Sequence, residues 1–308
     1  MDIKNYREQV DREVQQAKAE RELRASTVKL MAAGGASRSP ADVALDKTLD
    51  LASRISAIQH LKLDRATGDA SIPVLIQILG DPTEPIQLRQ AALQAMKLAE
   101  FIPTLLAPHR PAYFQALRSL MRTDDADLRE QALEVLAMGK DAEAQNLLLD
   151  GLTGASRPLV SPARAIQFLG YDLHGGYFPV LQKIASETKD PEVRHEAVRF
   201  LASDPESKDL LRGFMQDKEL DTQTRALGAI GLQSLDPAAF ATAARSIVED
   251  DQEDEAVRAS CLGALSHFPE YRSITGDPNF VQKVRQLESK AQSEHLRNSA
   301  ARFNRLMR

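Results

Sequence analysis

The sequence contains no tryptophan, a single cysteine and few aromatic residues. Phenylalanine and tyrosine together make up 5% of the 308 residues, and Cys261 is the one cysteine. One cysteine excludes an internal disulfide framework. Apolar residues still account for 43% of the chain, so we expect a core packed from small and aliphatic side chains rather than from large rings.

Long apolar runs are also missing. No stretch of about 18 apolar residues occurs, so we expect neither a membrane-spanning helix nor a membrane partner. The first residues, MDIKNYREQVDREV, are charged from the outset, which argues against a secretory signal. A soluble, cytoplasmic protein is therefore expected. The formal net charge of −5 argues against a nucleic-acid partner.

What the sequence does contain is a repeated helical pattern. An arginine is followed by a small residue three positions later, an aliphatic residue at four and usually Leu, Met or Phe near seven. The anchors of this pattern are Arg54, Arg89, Arg129, a proline-substituted copy at Pro162, Arg194, Arg225, Arg258 and Arg297. They are separated by 31 to 40 residues, the length of one helical hairpin. The period predicts an all-α, right-handed α-α superhelix of about eight hairpins.

An aspartate stands four residues before the anchor in five of the repeats. The pairs are Asp50 and Arg54, Asp125 and Arg129, Asp190 and Arg194, Asp221 and Arg225, and Asp254 and Arg258. On a helix, this spacing puts an acid and a base on one face, one turn apart.

Two of these segments resemble the HEAT-repeat family in its short, bacterial HEAT-like form. Residues 190–198 read DPEVRHEAV and residues 254–262 read DEAVRASCL, close to the second-helix pattern of that family. The resemblance covers about residues 41–307 and implies a HEAT-like solenoid whose second helices line a concave face. It also implies that the Asp and Arg residues, Arg89 included, form a structural ladder between repeats. The Pro162 copy departs from the pattern, so we expect the ladder to lapse there.

The sequence divides into three segments. Residues 1–33 read as an amphipathic helix with a narrow apolar stripe, residues 34–41 as a linker rich in Gly and Ser, and residues 42–308 as the solenoid. The stripe suits three roles: it could cap the first repeat, pair with a second copy of the chain, or bind another protein. These alternatives remain open at the level of sequence.

The common catalytic templates are absent. The sequence has no GxSxG, Walker A, HExxH or paired CxxC motif, and its six histidines lack partners at a metal-ligand spacing. We therefore predict no catalytic residue, no metal and no cofactor. Cys261 takes the third position after its anchor, where other repeats carry Ala or Gly, and this favours a buried structural thiol.

Three functional classes of HEAT-like proteins supply alternatives. Deoxyhypusine hydroxylases use several His-Glu pairs to hold iron, whereas this sequence has one pair in that register, His195-Glu196. Alkylpurine DNA glycosylases need an aromatic, cationic groove, which a net-negative chain without tryptophan does not favour. Phycobilin lyases hold a tetrapyrrole, and no local motif confirms or excludes that role.

Candidate partner-binding residues are those that break the repeat. Leu227 and Ile230 form an apolar spot at positions expected to face outward, and Arg164 and Arg199 occupy comparable positions in earlier repeats. The loops at 171–178 and 267–272 carry Tyr171, Tyr177, Phe178, Phe268 and Tyr271. Aromatic residues in loops are typical of a recognition edge, although they could equally fill the wedge between hairpins.

The sequence thus leads us to expect a non-enzymatic scaffold or adaptor that presents a concave helical surface to another protein, whose identity it does not reveal. Self-association through residues 1–33 is compatible with this expectation. The alternative is a HEAT-like enzyme, or a chromophore- or lyase-type protein, with a site in the concave groove.

Overall fold

The structure, a computed structural model, describes residues 38–63, 68–267 and 271–306. The predicted N-terminal helix at 1–33, the first half of the predicted linker and Phe268 lie outside the described residues. Within those residues every regular element is a helix, and the predicted all-α fold of helical hairpins is confirmed. No described helix is long and apolar enough to cross a membrane.

The chain forms two compact units, Met1–Ala144 and Gln145–Arg308. The described helices of the first unit are α1 (Pro40–Leu45), α2 (Leu51–Gln59), α3 (Gly68–Gly80), α4 (Ile86–Ala99), α5 (Pro103–Leu106), α6 (Arg110–Leu120) and α7 (Ala126–Met138). Helix α8 (Ala142–Thr153) contains the division between the units. Helices α1 and α2, α3 and α4, and α6 and α7 pack as hairpins.

The second unit continues the same architecture. Its helices are α9 (Pro162–Leu169), α10 (Phe178–Glu187), α11 (Pro191–Leu201), α12 (Lys208–Gln216), α13 (Thr222–Leu235), α14 (Pro237–Glu249), α15 (Glu255–His267), α16 (Arg272–Thr275), α17 (Pro278–Lys290) and α18 (Glu294–Leu306). The hairpins are α10 with α11, α12 with α13, α14 with α15, and α17 with α18. In each of them the anchor arginine lies in the first turns of the second helix.

The aspartates four residues before the anchors cap the second helices. Their carboxylates accept hydrogen bonds from first-turn amides: Asp50 from Ser53 N at 2.9 Å, Asp125 from Leu128 N at 2.7 Å, Asp190 from Glu192 N at 2.9 Å, Asp221 from Thr224 N at 2.9 Å and Asp254 from Ala256 N at 2.8 Å. These amides have no partner within the helix, and the negative charge suits the helix N-terminus. In the Pro162 copy, the Ser161 hydroxyl accepts the equivalent bond from Arg164 N.

Four of the anchor arginines tie the second helix to the first helix of the same hairpin. In four repeats, Nε donates to the carbonyl ten residues earlier: Arg54 to Ala44, Arg89 to Leu79, Arg225 to Met215 and Arg258 to Val248, at 2.9 to 3.1 Å. All four arginines are buried. The carbonyls in the last turn of a helix lack intrahelical donors and attract positive charge. The arginine therefore acts as a C-terminal cap supplied by the neighbouring helix.

Buried glutamates connect two of these arginines to the following repeat. Nη2 of Arg54 lies 2.8 Å from Oε1 of Glu84, and Arg225 contacts Glu253 through two bonds of 2.8 and 2.5 Å. Both glutamates stand five residues before the next anchor, in the turn of the next hairpin. Arg258 instead pairs with Asp251 of its own turn at 3.0 Å. The links between repeats at Arg54 and Arg225 thus use the turn glutamate, while the capping aspartate orders its own helix.

Small residues on the second helices set the spacing within a hairpin, and α13 is the extreme case. It carries Gly228 where the other repeats have Ala or Cys. A Cβ atom added there would lie 2.8 Å from the carbonyl oxygen of Leu211 and 3.0 Å from the amide of Met215. One added at Gly231 would lie 3.0 Å from the Leu211 side chain. The two glycines therefore let α13 lie unusually close to α12.

Replacing Gly228 tests this close approach. We expect Gly228→Ala to destabilise the second unit by about 1–3 kcal/mol, because the new methyl group overlaps the α12 backbone. Denaturant unfolding followed by circular dichroism measures the change. The matched control is Gly213→Ala on α12, where an added Cβ meets nothing within 4 Å. That variant should gain up to about 1 kcal/mol from helix propensity, and a loss at both positions would contradict the interpretation.

The Arg225–Glu253 pair predicts a pH-dependent stability. We expect Glu253→Gln to cost about 3–5 kcal/mol at neutral pH, because it leaves a buried guanidinium without its counter-ion. The hydrogen bond from Arg225 lowers the pKa of Glu253 below its ordinary value of 4.5. The stabilisation is thus present above about pH 4.5 and is lost as the pH falls through the lowered value.

The difference between wild type and Glu253→Gln should accordingly shrink in acid, as measured by urea unfolding at a series of pH values. Lys218→Ala is the control, because Lys218 makes an exposed pair with Asp250 at 2.6 Å. It should change stability by less than about 1 kcal/mol. A Glu253→Gln difference that does not vary between neutral and acidic pH would count against a charged pair.

Candidate functional site

An apolar groove of about 220 Å³ lies between the second helices α13 and α15. Its floor contains the buried side chains of Met215 and Phe240. Small residues form most of the walls, namely Ala226 and Ala229 on α13 and Ser260, Cys261 and Ala264 on α15. The groove also contacts Thr222, Arg225, Ile230, Gln233 and Val257. A lining of this kind suits a molecule with little polar surface.

The groove forms because α13 and α15 are held apart. Elsewhere in the second unit, α11 packs along α13 and α15 packs along α18. In the described residues, α13 and α15 do not pack side by side in this way, and α14 contacts both of them. Gly228 and Gly231 allow α13 to pack closely against α12, while Ala226, Ala229 and Ile230 of α13 line the groove.

A short side chain on α13 also contributes to the space in the groove. Four positions after the anchor, six other repeats place an aliphatic residue, namely Ile58, Leu93, Leu133, Ile166, Val198 and Leu262. Each of these is buried. The α13 repeat has Ala229 instead, which is partly exposed and lines the groove. An alanine is too short to reach the neighbouring helix, so the volume of the missing side chain remains open.

The charge at the base of the groove is already neutralised. Arg225 and Glu253 are both buried and share two hydrogen bonds. The bond to Glu253 raises the pKa of Arg225, so the guanidinium stays charged and paired. A buried ion pair with its donors engaged offers a ligand no net charge to bind.

The thiol of Cys261 is an uncharged part of the groove wall. It is buried, and this burial raises the pKa of its thiol to about 12. A thiol with so high a pKa is protonated at neutral pH and is a poor nucleophile. In this site Cys261 therefore behaves as a small apolar residue.

Polar groups at the rim have partners within the protein. The amide of Gln233 donates to the hydroxyl of Tyr271 at 3.4 Å, and the hydroxyl of Ser260 donates to the carbonyl of Ala256 at 2.9 Å. The ring of Tyr271 lies 5.9 Å from that of Phe240. Tyr271 thus packs against Phe240, which forms part of the floor of the groove.

The two residues of the predicted apolar spot, Leu227 and Ile230, have different environments. Ile230 is 61% exposed and lines the groove, whereas Leu227 is half-buried and is not among its lining residues. The two predicted arginines lie elsewhere in the second unit. The guanidinium of Arg164 stacks over Phe168 at 4.5 Å, and Arg199 pairs with Glu196 of the previous turn.

The predicted loop aromatics have different environments. Tyr177 and Tyr271 are buried, and Phe178 packs edge-on against Phe200 with a centroid distance of 5.2 Å. Tyr171 is 43% exposed. Three of the four described aromatics therefore pack within or between hairpins, and Tyr171 alone of these four presents much of its ring to solvent. Their role in partner binding stays a prediction.

The His195-Glu196 pair is engaged in local contacts. Nε2 of His195 lies 2.9 Å from a carboxylate oxygen of Asp221, and Glu196 pairs with Arg199. Across the described part of the chain, no group of three or more His, Cys, Asp or Glu residues is arranged to hold a metal ion.

Sequence reasoning did not single out Ala226, Ala229, Ser260 or Ala264 as site residues. Ala229 could have been found by aligning the repeats on their anchors, since it is the position where an aliphatic side chain is missing from an internal repeat. The other three are small residues on helix faces, and no pattern in the sequence distinguishes them from the small residues that pack in cores.

Comparisons with known proteins show a likeness of architecture. No family profile and no curated protein matches the chain. Among solved structures, the chain is similar to that of human deoxyhypusine hydroxylase in complex with glycerol, with 15% identity over 78% of this chain and 96% of that one, at a TM-score of 0.34. That protein is an enzyme, which contradicts the expectation of a non-enzymatic protein-binding scaffold, and we set this expectation aside. The likeness itself shows nothing about a reaction, and the absence of catalysis stays a prediction.

Proposed function

We propose that this protein binds a small, uncharged and largely apolar molecule in the groove between α13 and α15. The main support is Ala229, which replaces the aliphatic residue that fills the same position in six other repeats. A natural core closes such gaps, because each unfilled methyl-sized space costs about 1 kcal/mol. A gap bordered by exposed apolar surface is instead typical of a binding site.

The dimensions and chemistry of the groove define the class of ligand. A volume of about 220 Å³ lies below the range usual for drug-sized molecules, and suits a molecule of one or two fused rings. Because the Arg225–Glu253 pair is closed and the Cys261 thiol is neutral, a charged ligand would lose hydration without gaining a partner. These features favour a neutral ligand.

The exposed side chain of Ile230 provides apolar surface that a bound ligand would remove from water. Its side chain is exposed at the rim of the groove, in contact with water rather than with a neighbouring helix. A bound ring would cover it together with Ala226 and Ala229. Removing this apolar surface from water contributes about 25 cal/mol for each Å² covered.

This proposal agrees with the alternative expectation of a site in the groove. The lining residues favour binding of a molecule over catalysis. The hydroxyls of Thr222 and Ser260 and the amide of Gln233 are the neutral polar groups of the lining. None of them is accompanied there by a free acid or base that could move a proton. We also propose that the repeats of residues 42–308 are of the bacterial HEAT-like type and form a solenoid.

Restoring the missing side chain tests the proposal. We expect Ala229→Leu to fill the groove, because leucine occupies the equivalent position in three other repeats. Binding of Prodan, an uncharged fluorescent dye built on two fused rings, should fall by about tenfold or more, which corresponds to about 1.4 kcal/mol of lost binding energy. The thermal stability of the protein should stay equal or rise, since a cavity is filled.

The control is Ala238→Leu, at an exposed position of α14 that does not line the groove. It adds the same apolar surface to the same unit and should leave dye binding unchanged. The proposal fails if wild type does not bind the dye, or if both leucine variants bind it as well as wild type does.

A further inference from the structure

A second cleft, in the first unit, has a different character. It measures about 390 Å³ and lies where the ends of α4 and α7 meet the short helix α5 and the start of α6. Its apolar lining consists of Pro103, Leu106, Ala107, Tyr113, Phe114, Val135 and Met138, together with Gly139. Two charged residues of opposite sign, Glu100 and Arg110, also line it.

Glu100 is the acidic group of the cleft. It is the residue directly after α4, and its carboxylate accepts a hydrogen bond of 3.0 Å from the hydroxyl of Tyr113. The ring of Tyr113 is fully buried, so this bond fixes the carboxylate against the wall. Burial raises the pKa of Glu100, while the Tyr113 bond and the charges of Lys97 and Arg110 oppose that rise. A partly desolvated carboxylate gains strongly from a cationic partner.

Arg110 is the basic group of the cleft. It is the first residue of α6, and its guanidinium lies 4.9 Å from the centroid of the Phe114 ring. A side chain at Gly139 would overlap this ring and approach the guanidinium. The glycine therefore makes room for a stacked pair in which Phe114 holds the cation at the cleft, where it can bind an anionic group.

The remaining charges near Glu100 are already compensated. Lys97 lies 3.8 Å from Glu134 across α4 and α7, and neither residue lines the cleft. The lining therefore offers one negative and one positive group. The same cleft is lined by apolar surface that includes Met138, which is 57% exposed.

We propose that this cleft binds a small zwitterion with an apolar body, the chemistry of an aromatic or aliphatic α-amino acid. The ammonium group would bind Glu100, the carboxylate would bind Arg110, and the side chain would cover Phe114, Val135 and Met138. A purely cationic molecule would be repelled by Arg110, and a purely anionic one by Glu100. Only a ligand with both charges satisfies both groups. The site is separate from the groove of the second unit and does not depend on it.

The experiment uses the full chain with L-phenylalanine as the probe. Phenethylamine, which lacks the carboxylate, and phenylpropanoate, which lacks the ammonium group, are the matched analogues. Binding is measured by isothermal titration calorimetry. We expect L-phenylalanine to bind, and each analogue to bind about tenfold or more weakly, because one charged partner is left unpaired. These comparisons use wild-type protein and do not depend on how any variant folds.

Substitutions then locate the site. Glu100→Gln and Arg110→Gln should each weaken binding of L-phenylalanine by about tenfold. Glu143→Gln and Arg122→Gln, at exposed positions of the same unit, should not. Ala229→Leu should also leave this binding unchanged, which separates the cleft from the groove. The proposal is overturned if L-phenylalanine does not bind, if either analogue binds equally well, or if binding survives both site substitutions.

Discussion

A buried guanidinium group, bonded to the last carbonyls of a neighbouring helix, is the interaction on which the rest of the structure depends. A charge removed from water is costly unless it is paired and fully hydrogen-bonded. In the hairpins of Arg54, Arg89, Arg225 and Arg258, the carbonyl ten residues earlier supplies one partner. That requirement fixes how far the second helix can slide or rotate against the first. The arginine thus sets the geometry of these hairpins, and the aliphatic residues four positions later in three of them, Ile58, Leu93 and Leu262, are buried.

Because the hairpin geometry is fixed in this way, a change in one packing residue opens space instead of letting the helices close together. At α13, the base of the hairpin is held by Arg225, and Arg225 is joined to the next turn by Glu253. The rings of Phe240 and Tyr271 support the floor. With these contacts in place, the loss of an aliphatic side chain at Ala229 leaves a groove. Rigid packing that makes a single truncation costly in a core also keeps this groove open.

Much of the fold could be predicted from the repeated anchor, but the roles of the acidic residues could not. A spacing of four suggests an Asp–Arg pair on one helical face, yet Asp50 and Asp221 precede their helices and use their carboxylates as caps. The inter-repeat partner is the turn glutamate, which has no helical relationship to the arginine it meets. Loop aromatics were ambiguous because an aromatic ring in a loop can be buried, as Tyr177 and Tyr271 are, or exposed, as Tyr171 is. The bond between Glu100 and Tyr113 joins residues that are separated by the short helix α5 and a 3₁₀ turn, and no local pattern encodes it.

The two candidate sites differ because of what the anchor arginine can and cannot offer. The charge of Arg225 is neutralised by Glu253, so the groove between α13 and α15 presents apolar surface and no unpaired charge. Charged recognition must come from residues outside the repeated positions. Helix ends provide them, because their backbone groups lie open and their side chains are not committed to the interface between helices. Glu100 follows the last residue of α4 and Arg110 is the first residue of α6. Under the two proposals, a neutral ligand would bind between helices and a charged ligand would bind at helix ends.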